Sequence, residues 1–170
     1  MKETPAQYTR RILGYQRGKR PLSVLAATPR RIETLLRGAT DKKLKWMPGP
    51  ERWSIGHILA HMADAELTVG FRIRLALGSN GTRIQAFNQD AWAANLRYER
   101  QNPRTSFAVY RTIREHNLRL LRLLPQRMWN HYGMHEERGK ETISRMTEML
   151  AGHDLNHLNQ IRHIIRGKTA

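Results

Sequence analysis

Eight histidines and no cysteine stand among the 170 residues, so a metal centre here can use only imidazole, carboxylate and water. His153 and His157 are four apart. On a helix that spacing stacks two imidazoles one turn above each other, within reach of one ion. Counting about 100° per residue from Ile143, the apolar Ile143, Met146, Leu150, Ile161 and Ile164 fall within about 60° of one direction. His153 and His157 lie inside that stripe. Buried there without an ion, they would be core histidines hydrogen-bonded to polar partners; a shared ion leaves fewer polar atoms unmatched.

A mononuclear site needs a third ligand from another helix. His57 and His61, again four apart, both sit at the margin of their helix's apolar stripe, and the wheel leaves the choice between them open. His131 and His135 repeat the spacing with Gly133 between them, which favours a loop and a rim position for His135. His116 and His163 carry no such signal and read as solvated.

Three imidazoles leave a coordination position open, where a metal binds water or substrate and lowers its pKa. Zinc and nickel both suit imidazole. For hydrolysis the activated water is the nucleophile. Glu66 and Asp154 lie near the ligand faces and are the candidate catalytic carboxylates, either orienting a ligand histidine or accepting a proton. The run His153-Asp-Leu-Asn-His157 disfavours a metalloprotease, because Asp154 is shorter than the glutamate that chemistry requires.

Helices must position these groups. Thr28-Pro29 offers a cap and first turn for a helix ending near Gly38, with an earlier turn at 21–27. Pro48, Gly49 and Pro50 make 39–52 a connection. Ser54 caps a helix to about residue 77, with Ile55, Ile58, Leu59, Met62, Val69 and Ile73 at three- and four-residue steps. Leu67, Phe71 and Leu75 form a second apolar stripe on it, which suits a homodimer contact.

A long connection, 78–105, holds a short helix near 88–96 and is placed to cover a site. A third long helix runs from a Ser106 cap to Leu124, its apolar side read as Val109, Ile113, Leu120 and Leu124. Residues 125–141 loop back, and Thr142 caps a last helix that ends at Arg166 before Gly167. No alternating strand pattern is evident. The expectation is an all-α four-helix bundle at 21–170 with a long connection between the second and third main helices, preceded by a basic, partly flexible arm at 1–20.

The net charge is +16. A field of that size attracts polyanions, and a basic metal-stabilised bundle that binds nucleic acid nonspecifically is the rival to an enzyme. No helix-turn-helix or finger motif supports sequence reading. A non-catalytic, self-associating bundle with core histidines is the other rival. The most apolar segment, 55–71, is interrupted by His57, His61, Asp64 and Glu66, so no membrane span is expected. The first twenty residues lack the apolar region of a secretory signal, which makes a cytoplasmic location the expectation.

Three segments are similar to a known family: Trp53-Ser-Ile-Gly-His-Ile-Leu-Ala-His61-Met-Ala-Asp-Ala-Glu66, Phe87-Asn-Gln-Asp-Ala-Trp92 and His153-Asp-Leu-Asn-His157-Leu-Asn-Gln160-Ile-Arg162. Together they resemble the DinB/YfiT-like superfamily of metal-binding four-helix bundles over about residues 30–166. The resemblance implies His61, His153 and His157 as the ligands of a divalent ion. It also implies a reaction with a small-molecule substrate, either metal-dependent hydrolysis or a transfer in which a low-molecular-weight thiol, held as thiolate, replaces the water.

Overall fold

The computed structural model describes residues 3–50 and 52–167. Four long helices make the bundle: α2 (Pro21–Leu36), α4 (Ile55–Gly78), α6 (Pro103–Leu123) and α7 (Ile143–Ile165). They are joined by α1 (Pro5–Gln16), α3 (Asp41–Lys45) and α5 (Gln89–Asn95), and by strands β1 (Thr82–Ile84), β2 (Tyr132–His135) and β3 (Gly139–Thr142). The expected caps at Ser54 and Thr142 are in place, each hydroxyl accepting a backbone N–H one turn on, and Gly167 takes the left-handed stop at φ 70°. No helix among the described residues is long and apolar enough to cross a membrane.

Four local expectations are corrected. The N-terminal arm, of which residues 1–2 lie outside the described residues, holds a helix that the sequence pattern did not indicate: Thr4 and Gln7 form a reciprocal capping box, and α1 buries Ile12 completely. It lies against α7 so closely that a Cβ on Gly152 would collide with the Ile12 carbonyl. Only glycine permits that approach.

Pro29 does not start a helix but lies inside α2. Lacking an N–H, it cannot bond the carbonyl four residues back, and that freed carbonyl, on Leu25, accepts from Arg114 Nη1 at 3.0 Å instead. A three-stranded sheet is present as well, with β1 parallel to β2 and β2 antiparallel to β3. Strands of three and four residues are too short to show an alternating pattern.

The fourth correction concerns α6. Its cap is Asn102 with Pro103 behind it, not Ser106. Its buried face is also rotated from the apolar reading: Ser106, Tyr110, Arg114, Asn117, Leu118 and Leu121 face inward, while Val109 is 45% exposed. Polar side chains occupy that face because they satisfy one another, as described below.

The main core joins Leu25 and Ile32 of α2, Ile58, Leu59 and Met62 of α4, Tyr110 of α6, and Leu158 and Ile161 of α7. A second cluster, with Ile73, Ile84, Leu121, Ile143 and Met146, closes the sheet end. Burying each such aliphatic side chain contributes roughly 1.5–3 kcal/mol. The second stripe of α4 is uncovered within this chain, Leu67 and Phe71 being 56% and 59% exposed.

Candidate metal centre

Helix α4 presents His61 to α7, and the four-residue spacing in α7 presents His153 and His157 to meet it. The three Nε2 atoms converge: His61 to His153 at 2.8 Å and His153 to His157 at 3.0 Å. All three residues are buried, between 3% and 8% exposed. No other group of three or more His, Asp and Glu donors among the described residues is close enough to hold an ion. His57 is not part of it, because its Nδ1 lies 2.7 Å from the Ser54 hydroxyl. His116 and His163 are exposed, as read from sequence. His135 is not a rim residue but is buried in β2.

The arrangement suits a cation better than a hydrogen-bonded triad. One imidazole nitrogen carries either one proton or one lone pair in the ring plane. His153 Nε2, facing two nitrogens, can therefore form at most one linear hydrogen bond. His157 Nδ1 donates to Gln160 Oε1 at 2.7 Å, which leaves the lone pair on Nε2, turned inward; orientation of a ligand histidine through its other nitrogen is a feature of metal sites. Nδ1 of His61 and of His153 is buried with no partner among the described residues. Trp53 covers the His61 ring at 4.9 Å between centroids.

Burial keeps all three rings neutral, which is the form that donates a lone pair. It pushes His61 and His153 well below the ordinary 6.5, with the neighbouring histidines adding to the effect. His157 is pushed down to about 4, with the Gln160 bond and Asp154 partly opposing burial.

An unfolded chain binds these protons near pH 6.5, whereas the folded chain binds the His157 proton only near pH 4. Protons in that window therefore favour unfolding. Metal-free protein is expected to lose stability as pH falls through it, on the order of 3 kcal/mol from His157 alone. Denaturant unfolding of chelated protein between about pH 6.5 and 5, above the ordinary carboxylate range, checks this. A flat stability there would mean that the rings are open to water.

The two candidate carboxylates are occupied elsewhere. Glu66 and Asp154 are both buried and bracket Arg114, itself 1% exposed. Arg114 Nε and Nη2 donate to Glu66 Oε2 at 2.9 and 2.6 Å. Nη1 and Nη2 donate to Asp154 at 2.5 and 3.0 Å. With the Leu25 carbonyl, all five guanidinium N–H groups are matched. Asn117 Nδ2 donates to Glu66 Oε1 at 2.8 Å and the Tyr110 hydroxyl to Asp154 Oδ2 at 3.2 Å. Neither carboxylate bonds a triad imidazole, so their place is beneath the site, fixing α4, α6 and α7 to one another.

A cavity of about 250 Å³ opens on His153 and His157, walled by Tyr8 and Arg11 of α1, Arg52, Trp53, and Gln89 and Asp90 of α5. The long connection does reach over the site, as its length suggested, and the N-terminal helix unexpectedly does too. Gln160, Arg114 and α1 are the features that sequence reasoning missed. For Arg114 a signal existed, since it shares a helical face with Tyr110, Asn117, Leu118 and Leu121.

The family model of the DinB superfamily matches residues 25–161. A relative from Oceanobacillus iheyensis is 26% identical over 78% of this chain and 76% of its own length. YfiT from Bacillus subtilis is 21% identical over 85% and 82%. Both carry the name "Putative metal-dependent hydrolase". The solved structure of YfiT, described as an unusual four-helix bundle topology, superposes with a TM-score of 0.80 at 18% identity, covering 99% of this chain and 92% of that one.

Proposed function

The chain belongs to the DinB superfamily, and from that premise we propose that it is a metal-dependent hydrolase of small molecules, with His61, His153 and His157 holding one zinc or nickel ion. The observation that carries this reading is the convergence of three buried donor nitrogens beside an open cavity that His153 and His157 line. Two relatives named for the same activity support it.

When bound, such an ion would supply Lewis acidity and activate a water. The chain's own residues do the rest. Gln160 holds His157 in the tautomer that points its lone pair inward. Trp53 packs against the His61 ring, and the 250 Å³ cavity beside His153 and His157 has room for a small molecule. Arg11, anchored by Glu3 at 2.8 and 2.9 Å and by Asn156 at 3.1 Å, places a positive charge on the wall next to His157.

The test is turnover of a panel of small esters, amides and phosphoesters by zinc- and nickel-loaded protein, with and without an added thiol. Hydrolysis that disappears on chelation and returns with the ion is the expected result. Turnover that requires the thiol, with the thiol found in the product, would reassign the chain to transfer chemistry. Hydrolysis unaffected by chelation would overturn the metal reading of the activity.

A further inference from the structure

A second cavity, of about 470 Å³, lies between α1, residues 86–90 and the turn joining β2 to β3. Two of its lining residues are deeply buried, Arg72 of α4 at 7% and His135 of β2 at 3% exposed. The backbone N–H of Glu137 donates to His135 Nδ1 at 3.2 Å. A neutral imidazole has one proton, so with Nδ1 accepting, that proton is on Nε2. His135 Nε2 is buried with no partner among the described residues. It is an N–H donor without an acceptor.

Arg72 adds more donors. One Nη2 bond goes to the Gln85 carbonyl, and the guanidinium lies over the Phe87 ring at 5.5 Å. A guanidinium has five N–H groups in a planar fork that matches an oxyanion. The neighbouring carboxylates are largely committed. Glu141 takes both bonds of the Arg138 fork at 2.8 and 2.9 Å, Glu136 accepts the Ala86 N–H, and Glu3 is held by Arg11. Glu137 and Asp90 stand exposed at the edge.

Arg72, Tyr8 and Phe87 also line a smaller cavity, of about 90 Å³, whose other walls include His61 and His153. The two spaces share those residues, which puts the larger one next to the triad.

We propose that Arg72 and His135 form an oxyanion subsite, taking the carboxylate or phosphate group of a substrate whose reacting bond lies at the histidine triad. This rests on the hydrolase reading for the identity of the reacting end, while the subsite itself is testable without the ion. The substrate class it selects is anionic at one end and hydrolysable at the other.

The experiment is NMR of the His135 ring nitrogens in the full chain, metal-free and zinc-loaded, during titration with acetate and, separately, with inorganic phosphate. The expected result is a saturable shift of His135 Nε2 in both forms, and the anion that binds more tightly tells carboxylate from phosphate. Arg72→Gln is expected to weaken that anion about tenfold or more, as is loss of a charge-assisted fork. Arg72→Lys, which keeps the charge but not the fork, is the second variant and is expected to fall between. Absence of a saturable shift, or equal affinity in the wild type and both variants, overturns the subsite. Zinc content measured on the same samples separates the two ideas: zinc bound without an anion shift rejects the subsite alone, and an anion shift without zinc binding rejects the metal reading alone.

Discussion

His157→Ala is expected to reduce bound zinc or nickel from one ion per chain to none, and with it the entire difference in melting point between metal-loaded and chelated protein. In the wild type that difference reflects preferential binding to the folded chain, worth on the order of 3–4 kcal/mol when free metal is 100 to 1,000 times Kd. His61→Ala and His153→Ala should behave alike, since the three Nε2 atoms meet at one point. His57→Ala and His163→Ala should retain the metal, because neither belongs to the cluster. Elemental analysis and paired melts of the five variants decide it. Retention of metal by His61→Ala together with its loss in His57→Ala would overturn the ligand set.

Arg114→Met is expected to lower stability by about 3–5 kcal/mol, because it strands Glu66 and Asp154 as buried, unpaired carboxylates. For a chain of this length that corresponds to a fall in melting temperature of roughly 6 to 20 °C. Burial works against the charge on Arg114, but Asp154, Tyr110 and Glu66 outweigh it and hold the guanidinium firmly protonated. Removing all three charges at once is a different case. Arg114→Met with Glu66→Gln and Asp154→Asn should recover part of the loss, since the isolated carboxylates, not the missing arginine, carry most of the penalty. A triple variant less stable than Arg114→Met would show that the loss comes from packing. Metal binding by the triple variant would show whether the network also aligns His153, its neighbour in sequence.

Much of this site was legible before any fold was known. A four-residue histidine spacing inside an apolar stripe assigns both side chains to one buried face, because helix geometry repeats every 3.6 residues. The caps at Ser54 and Thr142 were equally legible, since each depends on one hydroxyl and the next turn of backbone. The choice of His61 over His57 came from the family resemblance and not from the helical pattern. Both lie at the edge of the stripe, and only the rotation of α4 against α7 turns one ring inward and leaves the other on Ser54.

What the sequence determined by itself is therefore whatever depends on neighbours within a helical turn or two: the helical bundle, the caps at Ser54 and Thr142 with the stop at Gly167, the paired histidines and the absence of cysteine ligands. The tertiary structure decided everything that depends on contacts between distant segments. It placed Glu66 and Asp154 on Arg114 beneath the site, folded α1 over the cavity against Gly152, and gave the freed carbonyl behind Pro29 its donor. It also rotated α6 so that Tyr110, Arg114 and Asn117 face inward in place of the more apolar Val109 side. A charged residue is excluded from a core only while it lacks partners. Here those partners arrive from α2, α4 and α7, separated from Arg114 by 40 to 89 residues of chain, which no local pattern can report.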